Sequence, residues 1–288
     1  MREQVGPLDI WGLHLPPELT LKDNSIHIAD AGMLKFAEYE RPTIGRIFAF
    51  NDESAPVLLQ EGLIIEGLRQ TRMVAFDQIM HPESTELIDV VCVEEGRWSD
   101  EFDGDLIHRA PISVIAALRK QPRIQPADIR GYRQKQVWTS VVRHQSRTQS
   151  MHTTSLSHMV NSYRNSESYF PFVQPSSYQP RKGQSGLVVS ALGEPVLMEI
   201  FGNEFLFTQH FESIIQSVLW DLDDYASVNT SNRSVIDFLE SITSVNVANS
   251  ERDFYEVIEH LSLKITHEPN EQIAVHSLAI NHNHPIFA

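Results

Sequence analysis

The densest polar chemistry in the chain lies in two short runs, Glu66-Gly67-Leu68-Arg69-Gln70-Thr71-Arg72 and Glu94-Glu95-Gly96-Arg97-Trp98. An arginine fork holds phosphate through paired N–H bonds, and an indole stacks on a base. If the runs are neighbours, Arg72 and Arg97 would hold phosphate and Trp98 would cover a ring. Gln70 and Glu94 would then meet sugar hydroxyls or base amines. Two other readings use the same residues. In one, Arg–Glu pairs pin strand ends and Trp98 fills core. In the other, Glu66 or Glu94 is a general base and His276 its acid/base partner.

Cys92 is the single cysteine, so the chain has no internal disulfide and no multi-thiolate metal site. Arg72 or Arg97 would activate it as a nucleophile. Its setting, Val90-Val91-Cys92-Val93, reads instead as a buried small hydrophobe. His276, His282 and His284 crowd the tail, where His-Asn-His reads more readily as solvated chain than as a ligand pair. Asp100, Glu101, Asp103 and Asp105 lack the glycine and closing glutamate of a calcium loop. No metal and no cofactor is expected.

These residues need strand edges and turns to position them. The alternation in 25–30, the runs 33–40 and 44–51 on either side of Arg41-Pro42, and the runs 71–80 and 84–94 read as strands. Short apolar runs fall between them at Val57-Leu58-Leu59 and Leu63-Ile64-Ile65. Val137, Trp138, Val141 and Val142 share one face at helical spacing. A short helix is expected over 156–163. Residues 165–186, rich in Ser, Gln and Pro, read as a lid or an inert insertion. A hairpin follows across Gly193-Glu194-Pro195. Phe211, Ile214, Ile215, Val218, Leu219 and Leu222 then mark a helix with Asn203 as its cap. Val235, Phe238, Leu239 and Ile242 mark another. Residues 255–265 and 273–280 close the chain as strands. The expected class is α+β: a mostly antiparallel β framework in the first half, with three or four helices from the second half packed on it. One domain over 1–288 is expected, or a β-rich 1–125 half and a mixed 126–288 half.

The 38 acidic residues outnumber 23 basic ones, for a net charge of −15 across 288 residues. That balance argues against an extended nucleic-acid face. No apolar run reaches the ~18–20 residues that span a bilayer, so no membrane partner is expected. The opening Met1-Arg2-Glu3-Gln4-Val5 has no apolar leader, and a cytoplasmic location is expected.

Five segments appear in a familiar order: PVLLQEGLIIEGLRQTR, VVCVEEGRW, QKQVW, GLVVSALGEPVLMEIFG and VHSLAI. Together they resemble the ADP-ribosylglycohydrolase and rhodanese-phosphatase-associated protein family across nearly the whole chain. Family-like positions include Gly62, Gly67, Gln70, Arg72, Glu94, Arg97, Trp98 and His276, whereas Leu63 and Thr71 depart from the pattern. The resemblance implies an accessory protein that binds an ADP-ribose-like or other phosphorylated nucleotide ligand, in a bacterial conflict or phage-defence setting. A hydrolase or transferase on such a ligand is the alternative. So is an interaction module whose partner is a protein.

Overall fold

The computed structural model describes residues 2–98, 103–120, 128–164, 177–222, 228–243, 254–258, 261–267 and 273–287. The chain opens with strands β1 (Arg2–Val5) and β2 (Leu8–Leu13). There follow β3 (His27–Ile28), β4 (Leu34–Thr43), β5 (Arg46–Asn51), β6 (Val57–Leu59), β7 (Leu63–Glu66), β8 (Arg72–Val74), β9 (Gln78–Met80), β10 (Ser84–Cys92) and β11 (Asp105–Arg109). Helices α1 (Ile112–Leu118), α2 (Ile129–Arg147) and α3 (Leu156–Arg164) come next. Strands β12 (Gly186–Ala191) and β13 (Glu194–Phe201) precede α4 (Glu204–Leu219) and α5 (Asn232–Thr243). Strands β14 (Phe254–Ile258), β15 (Leu261–His267) and β16 (Ala274–Asn281) close the chain. The class is α+β.

Two compact units result, one from Met1–Asn24 with Pro171–Ala288 and the other from Ser25–Phe170. The first is built on an antiparallel sheet of order β1-β2-β12-β13-β16-β15-β14. Strand side chains alternate between faces. Val188 and Met198, paired in register, pack with Val235, Phe238 and Ile242 of α5. Phe201, of opposite parity to Met198, meets Phe207 of α4 at 6.3 Å. The two helices therefore cover opposite faces. Asn203 caps α4 as expected, its side chain accepting from the Leu206 amide at 3.0 Å. At the β12–β13 hairpin, Leu192 and Gly193 have φ of 52° and 86°. Two successive left-handed residues make the primed turn that matches strand twist. Pro195 brings no N–H to the ladder, and the register shifts beside it.

The second unit holds a six-stranded sheet, β11-β7-β8-β10-β5-β4, and a three-stranded one, β3-β6-β9. Every pairing is antiparallel except that of β3 with β6. Ile47, Ala49, Val74 and Ile88 join Val57, Leu59 and Met80 in one core between the two sheets. Helix α2 packs on α1 and β10.

The 71–80 run is two strands in different sheets, β8 and β9, because Ala75-Phe76-Asp77 turns the chain between them. Arg41-Pro42 does not end β4, which runs to Thr43 with a register irregularity after Glu38. The 25–30 strand contracts to His27–Ile28. Helix α1 was not foreshadowed, since all seven of its residues are buried and leave no polar face to set a helical period. Helices α4 and α5 pack on β12 and β13 of the first unit's sheet. Of the 165–186 segment, 165–176 lie outside the described residues.

Candidate functional site

The two polar runs meet because their strands are paired. β8 and β10 pair antiparallel with Arg72 opposite Cys92, so Gln70-Thr71 and Val93-Glu94 leave the sheet side by side. Thr71 donates to the Glu94 carboxylate from its backbone N–H at 2.9 Å and from its hydroxyl at 2.8 Å. Arg97 Nε donates to the same Oε2 at 2.7 Å. The guanidinium also donates to the carbonyls of Leu68 and Gly67, both at 3.3 Å. The Gln70 amide donates to the Arg97 carbonyl at 3.0 Å. Gly67 has φ +96°, and a Cβ there would lie 2.2 Å from the Asp103 carbonyl oxygen. Only glycine allows this approach.

Arg72 turns inward. Its side chain is 0% exposed and grips Glu38 with both terminal nitrogens, at 2.9 and 3.1 Å. The remaining bonds run to the carbonyls of Thr43 at 3.2 Å, Ile44 at 3.4 Å and Gln70 at 3.4 Å. Trp98, by contrast, is 45% exposed, with the Arg69 guanidinium 6.0 Å from its ring centre. Burial pushes the Glu94 carboxyl up. The Thr71 amide, Arg97 and the Thr71 hydroxyl outweigh that effect and hold it below the usual glutamate range.

Glu66 sits at the end of β7. Ser157 of α3 donates to it at 2.6 Å and the exposed His158 ring nitrogen lies 3.8 Å away. His276 belongs to the other unit, where it is buried against Glu199 at 2.8 Å and stacked 4.8 Å from Phe201. Cys92 is free and buried. Burial raises its thiol pKa, opposed by the Glu94 backbone, the Trp138 side chain and Arg72. The tail is not solvated at His284, which is 2% exposed and bonded to the Ala191 carbonyl at 2.9 Å. Burial, the largest influence, pulls its pKa down. Asp100 and Glu101 lie outside the described residues, and among those described no three His, Cys, Asp or Glu side chains form a metal cluster.

A cavity of about 510 Å³ opens in the second unit, between the β4–β5–β10 part of the sheet and the start of α2. Its walls are largely apolar, with Tyr39, Phe76 and Leu87 among them. Its charged residues are three arginines, Arg46, Arg130 and Arg133, against one acid, Asp89. Arg46 Nε and Arg130 Nη2 share Asp89 Oδ1, at 3.0 and 3.1 Å. The Arg133 guanidinium sits 5.1 Å over the Phe76 ring. Thr43 and Ile44, whose carbonyls Arg72 holds, form part of the wall.

Sequence reasoning missed this cavity because its residues come from five segments without a shared motif. A faint signal existed. Arg130, Arg133 and Gln134 follow at helical spacing, on the face of α2 turned towards β10. Gln134 both donates to the Cys92 carbonyl at 2.8 Å and accepts from the Cys92 amide at 2.9 Å. It closes the edge of β10 where no strand does.

The model of a family described as the ARG and Rhodanese-Phosphatase-superfamily-associated Protein domain, ARPP-1, matches residues 4–281. The chain belongs to that family. No curated protein matches the chain, and no solved structure does either.

Proposed function

We propose that the chain is an accessory binding protein for a phosphorylated, nucleotide-like small molecule, held in the cavity between the sheet and α2. One observation carries this reading: in a chain of net charge −15, the cavity's charged lining is three arginines and one aspartate. Its volume falls in the usual range of about 300–1,000 Å³ for small-molecule sites. Tyr39 and Phe76 offer ring faces, and Arg46 and Arg130 offer exposed forks for phosphate. Arg72 and Arg97 act one step back. Their donors already serve Glu38, Glu94 and backbone carbonyls. In this reading the family-like motif builds the wall and the adjoining turn, and the cavity takes the ligand.

Mass spectrometry of small molecules released by denaturing the purified protein tests the reading. A phosphorylated, ring-bearing compound in stoichiometric amount is expected. Release of none, together with no calorimetric binding across a panel of phosphorylated nucleotides that includes ADP-ribose, would remove it.

A hydrolytic reading draws on Glu66, which Ser157 orients and which His158 approaches from the solvent side. His158, rather than His276, would be its acid/base partner, and turnover of the same nucleotide panel is the assay.

A further inference from the structure

The arginines at the cavity mouth are not idle. Arg46 on β5 stands directly opposite Asp89 on β10, and Arg130 reaches the same carboxylate oxygen from the first turn of α2. Asp89 is fixed by its strand, where its carbonyl accepts from the Ala75 amide at 3.0 Å. All three side chains are well exposed, at 44%, 37% and 60% for Arg46, Asp89 and Arg130. Exposed ion pairs of this kind contribute little and exchange readily. Asp128 already caps α2, accepting from the Gly131 amide at 2.9 Å, so the positive character at this end of the cavity comes from the side chains. Arg133 is engaged with the Phe76 ring.

We infer that Arg46, Asp89 and Arg130 form an anion gate, in which the phosphate of an incoming ligand displaces the Asp89 carboxylate and takes both guanidiniums. The inference rests on the proposed ligand site and adds its phosphate subsite and its internal competitor. A phosphate carries up to twice the charge of a carboxylate and three acceptor oxygens, enough to meet two arginine forks at once. Asp89 meets them through a single oxygen. The carboxylate keeps the two arginines gathered and repels weak anions. It therefore sets how strong an anion must be to enter.

Calorimetry with inorganic pyrophosphate as the probe tests the gate on wild type, Asp89→Asn, and Asp89→Asn combined with Arg130→Ala. Thermal melts check that each variant folds. Asp89→Asn removes the competitor and should tighten pyrophosphate binding about fivefold, the scale of a lost exposed ion pair. Adding Arg130→Ala should abolish that gain. No tightening in Asp89→Asn, or a gain that survives Arg130→Ala, overturns the gate. If pyrophosphate behaves as expected but no nucleotide in the panel binds, the gate stands and the nucleotide reading falls. If nucleotides bind but Asp89→Asn strengthens neither them nor pyrophosphate, the nucleotide reading stands and the gate falls.

Discussion

Glu94 shows what a motif residue does when its neighbours are counted. Its carboxylate takes two bonds from Thr71 and one from Arg97, and so ties the end of β10 to the residues before β8. Thr71 supplies two of those bonds, from its amide and its hydroxyl. The folded-state pKa of Glu94 lies below its ordinary value. The linkage therefore has one sign: its stabilisation is present above the unfolded pKa, about 4.3, and is lost as pH falls through the lower folded value. Glu94→Gln should flatten the loss of stability below about pH 4, measured by denaturant unfolding at a series of pH values. An acid limb identical to wild type would contradict this. The types and placement of Gln70, Glu94 and Arg97 at strand ends made their meeting legible. Which way each fork pointed was not legible, because Glu38, the partner of Arg72, lies 34 residues away on another strand.

At the scale of elements, the legible parts are those with local causes. Asn203 and the apolar spacing after it specify α4 without tertiary help. The β12–β13 hairpin announces itself through Gly193-Glu194-Pro195, and the turn itself falls one residue earlier, on Leu192-Gly193. Elements set by burial alone are hidden, as α1 is. So are elements whose edges are completed by a distant side chain. β10 outruns its neighbour β5, whose last paired residue is Arg46 opposite Asp89. Beyond that point the Gly45 carbonyl accepts from the Val90 amide at 3.0 Å, and Gln134 takes both backbone groups of Cys92. Gln134→Ala should leave those groups unpaired and cost about 1–3 kcal/mol. Denaturant unfolding at neutral pH measures it, and a change within a few tenths of a kcal/mol would show that β10 does not depend on this clamp.

Across the whole molecule, composition describes the average charge and is silent about local exceptions. A net charge of −15 argues against a broad anion-binding face, yet three arginines line one cavity. The division into units was equally hidden. The first 24 residues supply β1 and β2 to a sheet whose other strands begin at Gly186, with Ser25–Phe170 inserted between them. Pairing across such a separation leaves no local trace in sequence. Among the described residues no helix is long and apolar enough to cross a membrane. With the cavity as the binding site and the motif network as its support, the two arginine classes must behave oppositely. Calorimetry of the nucleotide found by mass spectrometry, or of ADP-ribose, with melts of wild type, Arg130→Ala and Arg97→Ala decides it. Arg130→Ala should weaken binding about tenfold to a hundredfold with little change in Tm, as loss of a charge-assisted fork implies. Arg97→Ala should lower Tm while its folded fraction binds normally. Binding lost in Arg97→Ala at an unchanged Tm, and retained in Arg130→Ala, would contradict the account.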